Sequence, residues 1–489
     1  MTTFKSLGER EQTFVGGRWR AATGDRVLQI VDPSTEEVIA SVRENSTADV
    51  AAAAQAARAA FDSGPWPDFE PAQRAAVLEA FAERVEARGD EIADTLVSEI
   101  GAPLTMARGS VRLATTFLRY YADLVRHYPF REDRLRQDGT TTRILREPTG
   151  PVAAIASYNS PFAVSVIKTA PALAAGCTIV LKPPPETPLA VHILGEIAAE
   201  LTEAGVLPPG VLNVVVAGKE GSEALVADPA IDKITFTGST QVGRAILATA
   251  GQRIGRVTVE LGGKSAGIVL DDADLEQVVA PLVGGGTVNT GQACFGLTRV
   301  LVSERRRDEL VDAMKARIET LVVGDPRDPA TTTGPLAGAR HLERVQGYVE
   351  LARSEGARVV VGGGRPAHLA KGYFFEPTLL VDVDNSSRVA REEIFGPVIS
   401  VITYRDLDEA VSLANDSIYG LGGAVFAADP ERAFEVARRI RTGTVAVNGF
   451  VGSHVTTPFG GYKQSGMGKE GGVEGLEVFL EAKSVHMPT

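Results

Sequence analysis

Cys294 is one of only two cysteines in this 489-residue sequence, and it lies in a glycine-rich loop where a thiol could act as a nucleophile. The loop runs from Asn289 to Gly296, between a glycine-rich apolar segment and a β-prone run at 299–303. Part of a thiol population is already ionised near neutral pH, which makes it a ready nucleophile. Glycines permit backbone conformations closed to other residues, so the loop can expose Cys294. The competing interpretation is a small buried hydrophobe, because free cysteine is among the most buried residue types.

Two carboxylate-bearing motifs favour the nucleophile over the buried hydrophobe. The upstream motif starts at Glu260 and continues Leu-Gly-Gly-Lys-Ser, and the downstream motif at 392–397 reads Glu-Glu-Ile-Phe-Gly-Pro. With the Cys294 loop between them, their order and spacing resemble the aldehyde dehydrogenase superfamily. The resemblance covers nearly the whole chain, from Val15-Gly-Gly to the Pro-Phe-Gly-Gly-Tyr-Lys run that ends at Lys463.

The resemblance implies the NAD(P)-dependent oxidation of an aldehyde to its carboxylic acid. In that reaction Cys294 would form a thiohemiacetal and then a thioester. The Asn159 amide and the Cys294 backbone N–H would hold the oxyanion, because an amide N–H is a suitable donor to developing negative charge. Glu260 would activate the hydrolytic water. Lys168 and Glu470 match an ion pair near the active site, although either could belong to a plain structural salt bridge.

A strand, a glycine turn and a helix start at 236–243 predict a phosphate seat. Backbone N–H groups and the positive end of a helix attract phosphate. The pattern differs from the Gly-x-Gly-x-x-Gly fingerprint, so dinucleotide binding is implied here by the resemblance alone. The resemblance assigns the pyrophosphate to Ser239, the adenosine ribose to Lys182, and the nicotinamide ribose and ring to Glu393 and Phe395. The implied cofactor-binding residues are Lys182, Gly238, Ser239, Gly243, Glu393 and Phe395.

Two departures from common family patterns bear on specificity. NAD-preferring members often have a glutamate three residues after the ribose-binding lysine, where this chain has Pro185 and then Glu186. NAD is therefore the expected cofactor, with NADP possible. Tyr158 and Ser160 flank Asn159 where the family commonly has tryptophan and phenylalanine, which should widen or repolarise the substrate entrance.

From Gly150 onward, short apolar strands alternate with helices, which predicts a doubly wound parallel sheet. Ligands bind beyond the carboxyl ends of such strands. Asn159, Lys182, the Gly238-Ser239 pair and Glu260 each follow or end a predicted strand, so we expect them to converge. The predicted fold class is α/β. It comprises a dinucleotide-binding domain (1–125 and 149–260), an α/β catalytic domain (261–460) and a small β oligomerisation element (126–148 and 476–489).

Composition narrows the class of partner. The net charge of −12 argues against nucleic acid, which needs a basic face. No apolar run is long enough to span a membrane, and the N-terminal residues lack the apolar core of a signal peptide. Two cysteines provide no disulfide framework, which favours the cytoplasm, and the six histidines have no metal-ligand spacing. An Asp138-Gly139 turn predicts an exposed hairpin, and the resemblance implies that it reaches a neighbouring subunit in a homodimer or homotetramer.

Two other functions are consistent with parts of this pattern. A coenzyme A-acylating member would resolve the thioester with a thiol, but such members commonly lack the base at Glu260. A non-catalytic structural or binding protein could retain the fold, but it would not need the set of Cys294, Glu260 and Asn159. The predicted lining of the substrate tunnel is Tyr158, Ser160, Phe295 and the stretch 450–457.

Overall fold

Four β-sheets organise the described part of the chain, residues 8–450 and 452–488 of a computed structural model. The strands are β1 (Gly8–Arg10), β2 (Gln12–Val15), β3 (Arg18–Ala21), β4 (Val27–Val31), β5 (Val38–Arg43), β6 (Arg131–Leu135), β7 (Thr141–Pro148), β8 (Val152–Ile155), β9 (Ile179–Lys182), β10 (Leu212–Val214), β11 (Lys233–Thr237), β12 (Arg256–Glu260), β13 (Ala266–Val269), β14 (Arg299–Ser303), β15 (Arg358–Val361), β16 (Thr378–Val381), β17 (Val398–Tyr404), β18 (Gly423–Phe426), β19 (Ala446–Val447), β20 (Gly466–Met467) and β21 (Leu480–His486).

Helices separate most of these strands. They are α1 (Thr47–Asp62), α2 (Pro71–Ala87), α3 (Gly89–Ile100), α4 (Leu104–His127), α5 (Pro161–Ala175), α6 (Leu189–Glu203), α7 (Lys219–Ala227), α8 (Thr240–Gly251), α9 (Leu275–Thr287), α10 (Arg307–Ile318), α11 (Ala339–Ser354), α12 (Arg388–Arg391), α13 (Leu407–Asn415), α14 (Pro430–Ala437) and α15 (Gly472–Glu477). Short 3₁₀ helices lie at Trp66–Asp68, Val288–Gly291, Glu304–Arg306 and Lys463–Ser465. No helix in the described ranges has both the length and the apolarity needed to cross a bilayer.

The first α/β unit is an eight-stranded sheet with the order β20-β12-β11-β8-β9-β10-β2-β3. Its five central strands, β8 to β12, run parallel and are almost wholly buried. From β8 the chain adds β9 and β10 on one side and then returns to add β11 and β12 on the other. The β8/β11 boundary is therefore a topological switch point, where a crevice opens beyond the carboxyl ends of the strands.

Local sequence explains how the elements beside this crevice begin and end. Helix α5 starts with Pro161 at its first position and ends at Gly176, whose φ of 96° stops the helix. Helix α8 is capped by Ser239, whose Oγ accepts the backbone N–H of Val242 at 3.3 Å. In α8, Gly243 lies so close to Leu261 that an added Cβ would come within 2.5 Å of that side chain. Glycine is therefore required there for the helix to pack against the segment after β12.

The second α/β unit is a seven-stranded sheet with the order β15-β16-β17-β14-β13-β18-β19. All its neighbouring pairs are parallel except the edge pair β15–β16. Two apolar cores cover this sheet, one containing side chains of α11, α13 and α14 and the other side chains of α9 and α10. The Cys294 loop connects α9 to β14, so helix and sheet together fix both of its ends.

The hairpin predicted around Asp138-Gly139 is confirmed as β6 and β7, which pair antiparallel. The tail strand β21 adds to β7, so the hairpin at 131–148 and the C-terminal segment form one three-stranded sheet in the order β21-β7-β6. Every residue of β6 is exposed, and Leu135 at its end is 79% exposed. A fourth small sheet contains β1, β5 and β4. The 24-residue helix α4 was not predicted, although its buried positions repeat with helical spacing.

Candidate active site

The loop before Cys294 has an unusual backbone that brings the three motifs together. Asn289, Thr290 and Gly291 are all left-handed, with φ of 52°, 56° and 71°. A Cβ at Gly291 would lie 2.1 Å from the Gly396 carbonyl, in the downstream motif. A Cβ at Gly263, in the upstream motif, would lie 2.2 Å from the Cys294 carbonyl oxygen. The motif glycines are thus contact points, and Cys294, one of two free cysteines, remains partly exposed between them.

Asn159 lies just beyond β8 and is hydrogen-bonded to the Cys294 loop. Its Nδ2 donates to the Gln292 carbonyl at 2.7 Å, and its Oδ1 accepts the Ser157 hydroxyl at 2.8 Å. The Asn289 amide donates to the Asn159 carbonyl at 2.7 Å. The second N–H of the Asn159 amide has no acceptor in the described ranges, so it can donate to a bound oxygen.

Glu260 ends β12 and is 2% exposed, yet neither of its carboxylate oxygens has a hydrogen-bond partner in the described part of the chain. A buried carboxylate without partners is costly as an anion. Burial therefore raises its pKa well above the usual range, and the nearby Glu470 charge raises it further, while Lys168 and Lys469 oppose this. A Cβ at Gly460 would lie 2.6 Å from Glu260 Oε1, so only glycine leaves room for this side chain.

Lys168 and Glu470 form the ion pair implied by the resemblance. The fully buried Lys168 Nζ lies 2.6 Å from Glu470 Oε1 and donates to Thr235 Oγ1 at 3.2 Å. The two residues are 302 positions apart and arrive from α5 and from the segment after β20. Because both charges act on the Glu260 carboxylate, the pair belongs to the electrostatic surroundings of the site.

Burial raises the pKa of the Cys294 thiol above its ordinary value, and the charges of Glu393, Glu260 and Glu470 raise it further. All three carboxylates disfavour a second negative charge nearby. The raised pKa therefore favours the protonated thiol. Forming the thiolate requires a proton acceptor close to the sulfur.

The residues assigned to the cofactor line the crevice of the first sheet. Lys182 is buried at the end of β9, where burial lowers its pKa to about 8. Ser239 is exposed at the N-terminus of α8, and the Gly238 N–H bonds the Glu260 carbonyl at 3.0 Å. A buried lysine amine at the end of β9 and an exposed helix N-terminus after β11, at the same edge of one parallel sheet, suit a phosphate-bearing dinucleotide. The chain fits such a cofactor.

Glu393 and Phe395 meet the first sheet's crevice from the second unit. Glu393 Oε1 accepts the Gly263 N–H at 2.9 Å, and burial raises the pKa of its carboxyl to about 7. Phe395 has a left-handed backbone with φ of 63°, and its ring lies edge-on to Tyr158 with centroids 5.8 Å apart. The site therefore contains residues from the ends of both sheets.

Several neighbours of the site were not predicted from the sequence. His341 of α11 stacks on Tyr158, with ring centroids 4.1 Å apart and an interplanar angle of 21°. Its neighbour Arg340 pairs with Glu186 at 2.5 Å, which links α11 to the loop after Lys182. No local pattern in the sequence indicates these contacts, because each depends on how α11 meets the first sheet.

Two of the residues predicted to line the substrate tunnel, Phe295 and Phe450, are in contact with each other. Phe295 stacks against Phe450 with ring centroids 5.5 Å apart, and Phe459 approaches it edge-on at 6.1 Å. A Cβ at Gly452 would lie 2.8 Å from the Phe295 ring. Phe295, which follows Cys294 in the chain, thus belongs to an uncharged aromatic cluster, whereas Val451 lies outside the described residues. Within residues 8–450 and 452–488, no group of His, Cys, Asp and Glu side chains could hold a metal ion.

Comparison with known proteins places this architecture among enzymes. A model of the aldehyde dehydrogenase family matches residues 19–485. The chain is 45% identical to a geranial dehydrogenase from Castellaniella defragrans over 98% of its own length and 99% of that protein. It is 41% identical to a 3-succinoylsemialdehyde-pyridine dehydrogenase from Pseudomonas, again over 98% and 99% of the two chains.

Solved structures agree with the sequence relatives. An aldehyde dehydrogenase from Mycobacterium tuberculosis, complexed with NAD⁺, superposes with a TM-score of 0.95 at 42% identity and covers 98% of this chain and 99% of that one. A cysteine-to-alanine mutant of an aldehyde dehydrogenase from Pseudomonas syringae, complexed with NAD⁺ and octanal, gives a TM-score of 0.93 at 40% identity. The match covers 97% of this chain and 96% of that one.

Proposed function

Because this chain belongs to the aldehyde dehydrogenase family, we propose that Cys294 is the catalytic cysteine with which it oxidises an aldehyde to the carboxylic acid. One observation carries the assignment. Gly263 packs against the Cys294 carbonyl and Gly291 against Gly396, so the partly exposed thiol lies where all three motifs meet. Cys177, by contrast, is fully buried and has no open face for a substrate.

In the proposed reaction, the Cys294 sulfur attacks the aldehyde carbon and forms a thiohemiacetal. The free N–H of the Asn159 amide and the Cys294 backbone N–H donate to the developing oxyanion. Removing one such donor typically lowers the rate about 10²- to 10³-fold. When bound, NAD would supply the hydride acceptor that conversion of the thiohemiacetal to a thioester requires.

We propose that Glu260 then takes a proton from the water that hydrolyses the thioester. Burial and the Glu470 charge raise the pKa of Glu260. The side chain can act as a base towards water only in its ionised form, so whatever favours the Glu260 anion favours this step. We further propose that the Lys168–Glu470 pair sets this balance, since its lysine favours the Glu260 anion and its glutamate opposes it. The unpartnered oxygens of Glu260 leave it free to accept a hydrogen bond from water.

For the cofactor we propose NAD, held by Lys182, Gly238, Ser239, Gly243, Glu393 and Phe395. The relatives solved with NAD⁺ support this choice. We expect weaker discrimination against NADP than in members with a carboxylate at the position of Pro185, because exclusion often depends on a built-in repulsion. Glu186 pairs with Arg340 at 2.5 Å, so we expect it to restore this repulsion only in part. The ratio of kcat/KM for the two cofactors tests both expectations. A preference for NADP would refute the choice of NAD, and an undetectable rate with NADP would refute the weak discrimination.

For the substrate we propose an apolar, uncharged aldehyde. The aromatic cluster of Phe295, Phe450 and Phe459 supports it, as do the relatives named for geranial and crystallised with octanal. The test is a panel of apolar, aromatic and polar aldehydes ranked by kcat/KM from NADH absorbance. We expect kcat/KM for geranial or octanal to exceed kcat/KM for a cationic aldehyde, such as betaine aldehyde, at least about tenfold. One or two buried methylenes can change kcat/KM by about this factor. Aromatic faces also attract cations, so a cationic substrate is the alternative. A higher kcat/KM for betaine aldehyde would therefore overturn this proposal.

The same assay distinguishes the second candidate function. A coenzyme A-acylating enzyme would produce NADH only when coenzyme A is present. The buried carboxylate of Glu260 supports hydrolysis instead, so we expect full turnover without coenzyme A. Turnover that depends on added coenzyme A would overturn the hydrolytic assignment.

We propose that the protein acts in the cytoplasm as a homodimer or a tetramer of dimers. A free reactive thiol persists best in a reducing compartment. The fully exposed strand β6 and Leu135 would leave an unpaired edge in a monomer, which proteins usually cover. Light scattering at micromolar concentration tests the assembly, and a mass near the 51.6 kDa of one chain would refute it.

A further inference from the structure

Asn289 lies five residues before the proposed nucleophile and is buried, with 8% of its surface exposed. Its backbone is left-handed, with φ of 52° and ψ of 41°. Asparagine and glycine tolerate this conformation better than most residues, and Gly291, two residues later, also has positive φ. Backbone conformation alone could therefore be supplied by glycine at 289, so the amide side chain calls for a separate explanation.

The Asn289 amide donates two hydrogen bonds. Its Nδ2 lies 2.7 Å from the Asn159 carbonyl oxygen and 3.3 Å from the Gln292 carbonyl oxygen. The same Gln292 oxygen accepts the Asn159 Nδ2 at 2.7 Å. These three bonds close a ring that ties the residue after β8 to the loop of the nucleophile.

The chemistry of the partners fixes which way both amides point. Backbone carbonyl oxygens can only accept, so the atoms facing them must be the –NH₂ groups. The Ser157 hydroxyl donates to the opposite end of the Asn159 amide at 2.8 Å, which agrees with that orientation. One N–H of Asn159 is thus used by Gln292, and the other is left without an acceptor in the described ranges.

We propose that Asn289 is a positioning residue that holds Asn159 so that its free N–H points at the oxyanion formed on Cys294. The inference rests on the proposed function of Cys294 and Asn159. Within the described ranges, the hydrogen bonds of the Asn289 amide go to the carbonyls of Asn159 and Gln292 and not to the Cys294 sulfur. It fixes the peptide carbonyl of Asn159 on one side and the carbonyl that orients the Asn159 amide on the other. Displacing a group by about 1 Å can cost on the order of 10²-fold in rate.

Two reactions of the same thiol separate positioning of the oxyanion donor from access to the thiol. With p-nitrophenyl acetate, the sulfur bonds to the acetyl carbon, an oxyanion develops, and p-nitrophenolate leaves. With iodoacetamide, the sulfur displaces iodide from a saturated carbon and no oxyanion forms. Both reactions consume the same thiolate, so the ratio of acylation to alkylation rates cancels any change in thiol ionisation. Neither reaction requires the cofactor.

The test measures this ratio in Asn289→Gly, which keeps the left-handed backbone accessible, and in Asn289→Asp, which keeps the side-chain size but removes both donors. We expect the ratio to fall at least about tenfold in each, while alkylation changes less than about threefold in Asn289→Gly. Asn159→Ala removes the proposed oxyanion donor itself, so its ratio of acylation to alkylation rates should fall about 10²- to 10³-fold. Mass spectrometry of the adducts confirms that Cys294 is the site of modification.

Asn213→Ala is the matched control. Asn213 is also a buried asparagine whose amide donates to two carbonyls, those of Ile179 and Gly210, but it lies in β10 away from the site. We expect Asn213→Ala to lower stability and leave the ratio unchanged. A normal ratio in both Asn289 variants with a low ratio in Asn159→Ala would overturn the inference and leave the proposed function intact. A normal ratio in Asn159→Ala would overturn the proposed oxyanion donor, and Asn289's role with it.

Discussion

The regions around Cys177 and Cys294 differ in ways that distinguish a structural thiol from the thiol that we propose as the nucleophile. Cys177 lies between Gly176 and β9 with no exposed surface, and its sulfur is 3.5 Å from Thr149 Oγ1 and 3.6 Å from the Phe479 carbonyl. Cys294 is partly exposed in a loop of left-handed residues. Burial raises the pKa of both thiols. A lowered pKa therefore does not distinguish the proposed nucleophile from the structural cysteine in this protein. The proposed nucleophile is distinguished by its access and by its unpartnered polar neighbours.

The largest expected effect comes from exchanging the two cysteines for alanine one at a time. Cys294→Ala removes the nucleophile, so aldehyde oxidation should fall by at least about 10⁴-fold, as when other covalent nucleophiles are deleted. Cys177→Ala should keep kcat/KM within about threefold and lower stability by about 1 kcal/mol. Steady-state NADH formation and thermal unfolding check both. Comparable activity losses in the two variants would remove the distinction between the regions.

A smaller effect is expected for Glu260→Gln. This change removes a carboxylate from the surroundings of Cys294 and leaves the surroundings of Cys177 unchanged. Attack and hydride departure should survive, because neither needs this carboxylate once the thiolate exists. Deacylation should slow by about 10²- to 10⁴-fold, the usual contribution of a positioned base. Rapid mixing should show up to one NADH per site in a burst, followed by near arrest with an acyl group on Cys294.

Two results would contradict this assignment of Glu260. Turnover near the wild-type rate would mean that another group activates water. A variant with neither burst nor acyl adduct would mean that Glu260 is needed earlier, as the base that generates the thiolate. Cys294→Ala is the control, since it should show no burst.

The smallest effect concerns pH. A raised pKa means that the Cys294 thiolate, and hence alkylation by iodoacetamide, increases as pH rises and is still increasing above about pH 8.5, where an unperturbed cysteine is half ionised. Glu393 contributes to this shift, and its own pKa is about 7. Glu393→Gln should therefore move the alkylation profile towards lower pH by on the order of one unit, with the difference developing above pH 7. An unshifted profile would refute this electrostatic contribution, and native Cys177 should stay unlabelled throughout.

Much of the fold was predictable because short apolar strands alternate with helices over long stretches. The strands ending near Asn159, Lys182 and Glu260 were expected to converge, and their parallel pairing confirms it. Parallel strands place their carboxyl ends at one edge, so order in the sequence becomes proximity in space. The domain boundaries and the roles of the individual site residues stay predictions.

What escaped prediction depends on tertiary contacts with no local pattern. The Lys168–Glu470 pair was available only through the family resemblance, because 302 positions separate its members. Asn289 looked like an ordinary loop residue, since its role comes from the carbonyls that a left-handed turn brings to it. His341 reaches Tyr158 only because α11 packs against the other sheet's crevice. The two residues of β20 carry too little sequence to indicate a strand.

That two-residue strand has a consequence for how the protein is made. Strand β20 pairs antiparallel with β12 and places Gly466 beside Glu260, so the first sheet is completed by a segment about two hundred residues farther along the chain. At roughly 5–20 residues per second, a ribosome needs roughly ten to forty seconds to synthesise that stretch. During this interval the nascent first sheet has β12 as an open edge, the kind of surface that pairs with other strands. The edge that holds Glu260, the proposed base, therefore stays unpaired for most of the synthesis that follows β12.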